Sequence, residues 1–516
     1  MSRSPGNPSR RTVLLGGAAA LGTTTFAGST LAHALPGAGG RPLADPFTLG
    51  VASGDPLPDG VVLWTRLAPE PTADDGRGGM PDRVVPVRWE VAEDERFTRI
   101  VRRGEAQATP ELGHSVHVEL SGLRPGAEYY YRFRAENAVS PTGFTRTAPA
   151  PGSLEALLMC FASCSHFGQG HFTAYRRMAE DQPHLILHLG DYQYEYEGDS
   201  DDVREVRGPE TRTLANYRQR HAQYKTDPDL QLAHATAPWL VVWDDHETEN
   251  NWADEVPEDP DAGFLDRRAA AFQAYYENMP LRRSARPQGI DMRLYRRIRW
   301  GGLADFHMLD TRQYRDDQLC GDGVQAGCDG RLSPDRSITG AEQERWLLKN
   351  LRSSDARWDV LGQQVFFSKI DLTPGAEEGY NMDAWDGYVA NRDRIADGLS
   401  RVRNGVVLTG DVHRHWAAEV KRTHDDPSTP AVGTELVTTS ITSGGDGSDD
   451  GNEDVIAENP HVKFSSNRRG YVRTRFTAEE MRADFRTLRK VTEPGAPAET
   501  ARSFAVQDGV RALNPA

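Results

Sequence analysis

Apolar and polar positions change their period near residue 150. From 46 to 149 they alternate in short runs, 60–67, 84–92, 115–120 and 129–135, with turn formers such as Leu123-Arg124-Pro125-Gly126 between them. Alternation at period two with that punctuation predicts a small antiparallel sandwich of fibronectin-like size. Ala148-Pro149-Ala150-Pro151-Gly152 reads as its boundary. Past that segment, apolar runs at 157–163, 185–190, 239–243, 303–309, 406–410 and 435–441 alternate with helical stretches at 171–181, 214–235, 264–277 and 340–352. This order predicts an α/β domain, either one mixed sheet covered by helices or two sheets sandwiched between them. Polar loops at 198–213, 318–337 and 443–459 interrupt it, and the acidic stretch 444–454 reads as solvated.

The length of 516 residues suggests several units. Those expected are a leading β-sandwich at 46–149, a catalytic domain at 153–490, and a tail at 491–516 that can pack near the site. A net charge of -16 argues against nucleic acid as the main partner, because phosphate-backbone binding needs a cationic face. Beyond the amino terminus no apolar run is long enough to cross a bilayer, which excludes integral membrane association. The amino terminus itself carries Ser9-Arg10-Arg11-Thr12-Val13-Leu14, a weakly apolar stretch and then Ala32-His33-Ala34. That order is a cleavable export signal of the twin-arginine type at 1–34, cut near Ala34. The expected partner is the twin-arginine export machinery, and the expected location is outside the cell. Of the four cysteines, Cys320 and Cys328 flank a polar loop that an oxidising compartment would close as a disulfide; two free thiols are the alternative. Cys160 lies inside an apolar run and reads as inert core.

Chemistry gathers at strand ends. Cys164 and His166 follow the run at 157, and Asp191 and Tyr194 follow the run at 185. Asp244, Asp245 and His246 follow the run at 239, and Asp411, His413 and His415 follow the run at 406. Carboxyl ends of parallel strands lie along one edge of a sheet, so these distant groups can converge. A single aspartate there is ordinarily a cap or a turn residue; four ligand-rich ends argue for one site.

The motifs resemble those of the metallophosphatase superfamily and look most like the PhoD-type alkaline phosphatases, including their phospholipase D-like members. The resemblance rests on Phe47-Thr48-Leu49-Gly50-Val51-Ala52-Ser53-Gly54-Asp55-Pro56 in the leading region and on Phe161-Ala162-Ser163-Cys164, Gly190-Asp191-Tyr192-Gln193-Tyr194 and Trp243-Asp244-Asp245-His246-Glu247 in the catalytic region. It continues through Leu309-Asp310-Thr311-Arg312 and Thr409-Gly410-Asp411-Val412-His413. It implies a metallophosphatase-like β-sheet sandwich flanked by helices, preceded by a small all-β fibronectin-like domain.

Within that frame Asp191 bridges two metals, one oxygen to each. Cys164, Tyr194 and His413 complete the shell of the first; three monoanions suit a trivalent cation, iron(III), as the resemblance also implies. Asp245 and Asp411 stand where the wider superfamily has Asn and His, and with Asp191 they make an oxygen-only shell that prefers calcium. On an extended backbone Asp411 and His413 would point to one face. His246 is the candidate for protonating the leaving alkoxide, or else an orienting group. Arg312 either neutralises substrate phosphate or pairs with Asp310. His415 reads as a packing or supporting residue, and neither His166 nor Asn251 has a definite role.

The expected activity is a secreted phosphoesterase that hydrolyses phosphate monoesters or diesters with hydroxide activated by Fe3+ and Ca2+. The alternative is a phospholipase D acting on phosphatidylcholine-type lipids through the same site. A non-enzymatic adhesion protein would show missing ligands, whereas every proposed position is chemically competent.

Overall fold

The computed structural model describes residues 43–423 and 428–516, so the expected export signal at 1–34 lies outside the described residues. A ten-stranded and a seven-stranded sheet form the frame. In the first, Leu157–Ala162, Leu185–Leu189 and Pro238–Val242 run parallel, with Leu187 paired to Phe161 on one side and to Leu240 on the other. In the second, Ala304–Met308, Trp358–Gly362, Gly405–Thr409 and Ala431–Val437 run parallel. Antiparallel strands finish its two edges, Arg296–Trp300 on one, and His415–Lys421 with Val462–Ser466 on the other. Leu187 and Leu240 from one sheet share a core with Phe306, Val360, Val406 and Leu436 from the other, all fully buried. Both faces of these central strands are covered, which is why they read as continuous apolar runs rather than as alternation. This is the expected α/β sandwich.

The helical stretch expected at 214–235 is two helices, Leu214–Lys225 and Pro228–Thr236. Pro228 has no backbone N–H and opens the second helix, while the Asp227 side chain caps it by accepting from the N–H groups of Asp229 at 2.8 Å and Leu230 at 3.1 Å.

The leading region is all-β, but it is not closed on itself. Val85–Ala92, Ile100–Ala108, Glu128–Ala135, Ala138–Val139 and Gly143–Arg146 make a separate five-stranded sheet. Val51–Leu57, Gly60–Arg66 and Ser115–Glu119 instead extend the ten-stranded sheet, with Ser53 paired in parallel to Pro238. The reason is in the composition of Gly60–Arg66: Gly-Val-Val-Leu-Trp-Thr-Arg is buried at every position and needs cover on both faces. The tail expected at 491–516 is also part of that sheet. Ala498–Gln507 pairs with Glu480–Leu488, which turns Phe504 and Val506 into the core, and Asn514–Pro515 adds the edge. The tail's first residues, Val491 and Thr492, donate their backbone N–H groups to Asp446 at 2.7 and 2.9 Å. Among the described residues no helix is long and apolar enough to cross a membrane.

Candidate metal centre

The parallel strands stop abruptly, and the residues that follow turn their side chains toward one place. Cys164, Asp191, Asp411 and His413 all have left-handed backbone, with φ of 62°, 54°, 57° and 55°. Such conformations cost a non-glycine residue about 1–3 kcal/mol each and concentrate at functional sites. The Asp411–His413 backbone is therefore tightly turned, not extended as expected from their spacing. Gly190 sits at φ 109°, where a Cβ would lie 2.4 Å from that of Asp244, so only glycine lets these two turns touch. The loops are cross-tied: Cys164 N–H donates to the Gly190 carbonyl at 3.1 Å, and Ser165 N–H to that of Asp191 at 2.8 Å. Glu247 Oε2 accepts from the backbone N–H groups of Asp191 at 3.2 Å and Asp244 at 2.9 Å, and its Oε1 accepts from Tyr192 at 2.6 Å.

Three groups of potential ligands share Asp191. Cys164, Asp191 and His413 each place a donor atom within 4.8 Å of the others; so do Asp191, Asp245 and His246, and so do Asp191, Asp244 and Asp411. Tyr194 joins the first group: its hydroxyl donates to Asp191 Oδ2 at 2.9 Å, lies 3.1 Å from His413 Nε2, and accepts from Ser443 Oγ at 2.7 Å. Asp191 Oδ1, Asp244 Oδ2 and Asp245 Oδ1 are buried with no hydrogen-bond partner. Buried, unpaired oxygens beside a thiol and imidazoles make a donor set that fits cations.

The electrostatics agree. Burial pushes the Cys164 thiol, the Tyr194 phenol and the Asp191 and Asp411 carboxyls well above their ordinary values. It also raises Asp244 to about 7 and Glu247 to about 8. Positive charge at this spot would let these groups ionise together. Burial would raise Asp245 too, but Arg312 and His246 overcome it and hold that carboxyl below the usual range. Burial lowers His413 to about 3, leaving a neutral ring suited to ligation. For His246 burial opposes the charge, yet Glu195, Asp245 and Asp191 around it lift it well above an ordinary imidazole. Its Nδ1 lies 2.8 Å from Glu195 Oε2, and its ring is 4.1 Å from that of Tyr194.

The structure thus brings Cys164, Asp191, Tyr194 and His413 together, and sets Asp191 beside Asp245 and His246. Asp245 and Asp411 fall in different groups, and Asp411 is accompanied by Asp244, which sequence reasoning left without a role of its own. Arg312 is held among carboxylates. Its side chain is fully buried; Nε donates to Asp244 Oδ1 at 2.5 Å, and the two terminal nitrogens grip Asp383 at 2.7 and 2.8 Å. A guanidinium held this way anchors carboxylates. Its partner is Asp383 rather than the Asp310 carboxylate, which accepts the Arg312 backbone N–H at 3.0 Å.

Of the residues without a role, Asn251 donates its backbone N–H to Asp245 Oδ2 at 2.8 Å, and the His166 ring lies 4.7 Å from Tyr194. His415 is fully buried, with Nδ1 accepting from Thr439 N–H at 3.1 Å, a supporting residue. Glu195, Glu247 and Asp383 were not foreseen. Glu247 stands inside the motif 243–247 and Glu195 directly after the motif 190–194, the one local signal for either. A further cluster, Asp305, His307 and Asp359, is already an internal network, with Asp305 gripped by Arg297 and Asp359 facing His307 Nε2 at 3.4 Å.

Comparison with known proteins bears on this arrangement. A family model described as PhoD-like phosphatase matches residues 159–485, and one described as PhoD-like phosphatase, N-terminal domain, matches residues 33–149. Alkaline phosphatase D of Bacillus subtilis (strain 168) is 50% identical over 474 residues, 90% of this chain and 81% of that protein. A solved structure of PhoD superposes with a TM-score of 0.89 at 49% identity, covering 92% of this chain and 93% of the other. The purple acid phosphatase PPD1 from yellow lupin seeds shares the fold, with a TM-score of 0.53 at 12% identity over 89% of this chain and 73% of its own.

Proposed function

The chain belongs to the PhoD-like phosphatase family and is a phosphoric ester hydrolase; from that premise we propose that it hydrolyses phosphate monoesters, and diesters with them, at a two-cation centre to which Asp191 would be common. The observation that carries the reading is the sharing of Asp191 by three ligand groups. The proposed holder of iron(III) is the set Cys164, Asp191, Tyr194 and His413, whose thiolate, phenolate and carboxylate suit a trivalent ion. The proposed holder of calcium is the oxygen set Asp191, Asp245 and Asp411, with Asp244 beside Asp411. When bound, the two cations supply Lewis acidity that makes water a nucleophile near neutral pH and offsets charge on the phosphoryl oxygens.

The chain's own residues do the rest. Glu195 engages Nδ1 of His246, which leaves Nε2 to carry a proton, and His246 stands in one group with Asp191 and Asp245. That proton goes to the leaving alkoxide oxygen as the P–O bond breaks, so His246 is the proposed general acid. Glu247 and Gly190 hold the two turns at the spacing the shared carboxylate needs. Export of the protein by the twin-arginine route, with cleavage near Ala34, is part of the same proposal. It is supported by Arg10-Arg11 and by the Cys320–Cys328 disulfide, a bond suited to an oxidising compartment. Residues 46–149 and 153–490 are the proposed functional units, although they share one sheet.

A turnover panel tests the substrate class. With calcium added, a simple aryl phosphomonoester and a bis-aryl phosphodiester should be hydrolysed well above a phosphatidylcholine dispersion. Turnover confined to the lipid would overturn the monoester reading in favour of a phospholipase D.

A further inference from the structure

The loop after Arg315 is a small lobe with its own core. Val324–Ala326 pairs antiparallel with Gly379–Asn381, and Leu319, Cys328, Tyr380 and Met382 pack together. The Arg331 guanidinium lies 3.9 Å over the Tyr380 ring, and Met382 N–H donates to the Gly323 carbonyl at 2.8 Å. A disulfide between Cys320 and Cys328, eight positions apart, staples the loop; Cys320 is exposed and Cys328 buried.

The inner edge of this lobe touches the groups that hold the oxygen side of the centre. Asp322 Oδ2 accepts from Asn251 Nδ2 at 2.5 Å, and the Asn251 backbone N–H donates to Asp245 Oδ2 at 2.8 Å. Asn251 is itself in left-handed backbone, φ 47°, a conformation that its neighbours must impose. Gln318 bridges the same two supports, donating from Nε2 to the Asn251 carbonyl at 2.8 Å and to Asp383 Oδ1 at 2.7 Å. Asp383 in turn grips Arg312, which grips Asp244. Two short chains of contacts therefore run from one stapled loop to Asp245 and Asp244. The Cys164 side of the centre is held by other elements, through Ser443 and Tyr194.

We propose that Asp322 and Gln318 are positioning residues for Asp245 and Asp244, and that the Cys320–Cys328 bond is what keeps them in place, so that full turnover requires the oxidised lobe. This rests on the reading that Asp245 serves the calcium. Neither residue touches substrate; each acts by fixing where a carboxylate points. Opening the staple takes two electrons from a dithiol reductant. Its thiolate attacks Cys320 Sγ, and the S–S bond breaks with Cys328 leaving as thiolate and taking a proton. The second reductant thiol then closes the reductant's own disulfide and releases Cys320 as thiol.

The test compares the full-length enzyme with the double variant Cys320→Ser/Cys328→Ser and with Asp322→Ala, which keeps the disulfide. Both variants should lose about tenfold in kcat with little change in KM, as outer supports of ligands do. Both should need more calcium for half-maximal activity, and their visible iron absorption should stay that of the unmodified enzyme, since the change is confined to one side of Asp191. A dithiol reductant should lower the activity of the unmodified enzyme toward that of the double variant, and the double variant treated with the same reductant measures any direct effect on the metals. Unchanged kcat and unchanged calcium dependence in both variants would overturn the clamp. Asp245→Asn reads the calcium assignment separately. Ordinary calcium dependence there overturns that assignment, whereas its loss there, with ordinary behaviour in both lobe variants, overturns the clamp alone.

Discussion

Asp191→Asn should leave a folded protein with almost no turnover. Asparagine keeps the shape and the hydrogen bond from Tyr194 but loses the charge, and it offers one oxygen where the three ligand groups converge on a carboxylate. The expected fall in kcat/KM is about 10³-fold or more, the upper end of what losing one preorganised electrostatic group costs, or about 4 kcal/mol of transition-state stabilisation. Thermal unfolding in chelator should be unaffected or slightly raised, because the substitution removes a buried carboxyl whose Oδ1 has no partner. A variant with the stability of the parent and undiminished hydrolysis would remove Asp191 from the bridging position.

Arg312→Met should act on stability first. The guanidinium is fully buried between Asp244 and Asp383, and 3.7 Å from Asp245, so deleting it leaves buried carboxylates facing one another. Breaking a buried ion pair from one side typically costs about 3–5 kcal/mol, and Arg312→Lys should rescue little, because a point charge cannot span Asp244 and Asp383 in the planar fork geometry. Chemical denaturation followed by circular dichroism would measure the loss, with activity falling alongside it as Asp244 and Asp245 lose their anchor. The competing role, a phosphate-binding arginine at the substrate, requires the opposite: stability close to that of the parent, and a raised KM.

The difference between what sequence showed and what it concealed follows the range of the interactions. The strand ends were legible because the signal is local. An apolar run such as Leu185–Leu189 can only be a covered strand, and a glycine followed by aspartate must turn at its end. Cys164, Asp191, Tyr194 and His413 were found this way, with the family motifs as a guide. Asp245 was assigned as a ligand and Asp244 was given no role, because two adjacent carboxylates look alike until the backbone decides which way each points. Asp383 was invisible, being 71 positions from Arg312 and outside any motif. The five-residue strand Ser115–Glu119 alternates just as a sandwich strand would, and only its pairing with Gly60–Arg66 shows that it extends the catalytic sheet. The strand in the tail was concealed for the same reason, since nothing local in Ala498–Gln507 names Glu480–Leu488 as its partner.

The two sides of Asp191 differ in chemistry, with sulfur, phenol and imidazole on one and the carboxylates Asp244, Asp245 and Asp411 beside His246 on the other, and that asymmetry is the core of the functional reading. Metal analysis of the purified holoenzyme combined with its visible spectrum addresses it directly. Iron and calcium should both be bound, and a phenolate on iron(III) should give a broad visible charge-transfer band that disappears in Tyr194→Phe. A colourless, iron-free preparation with full activity would contradict the assignment.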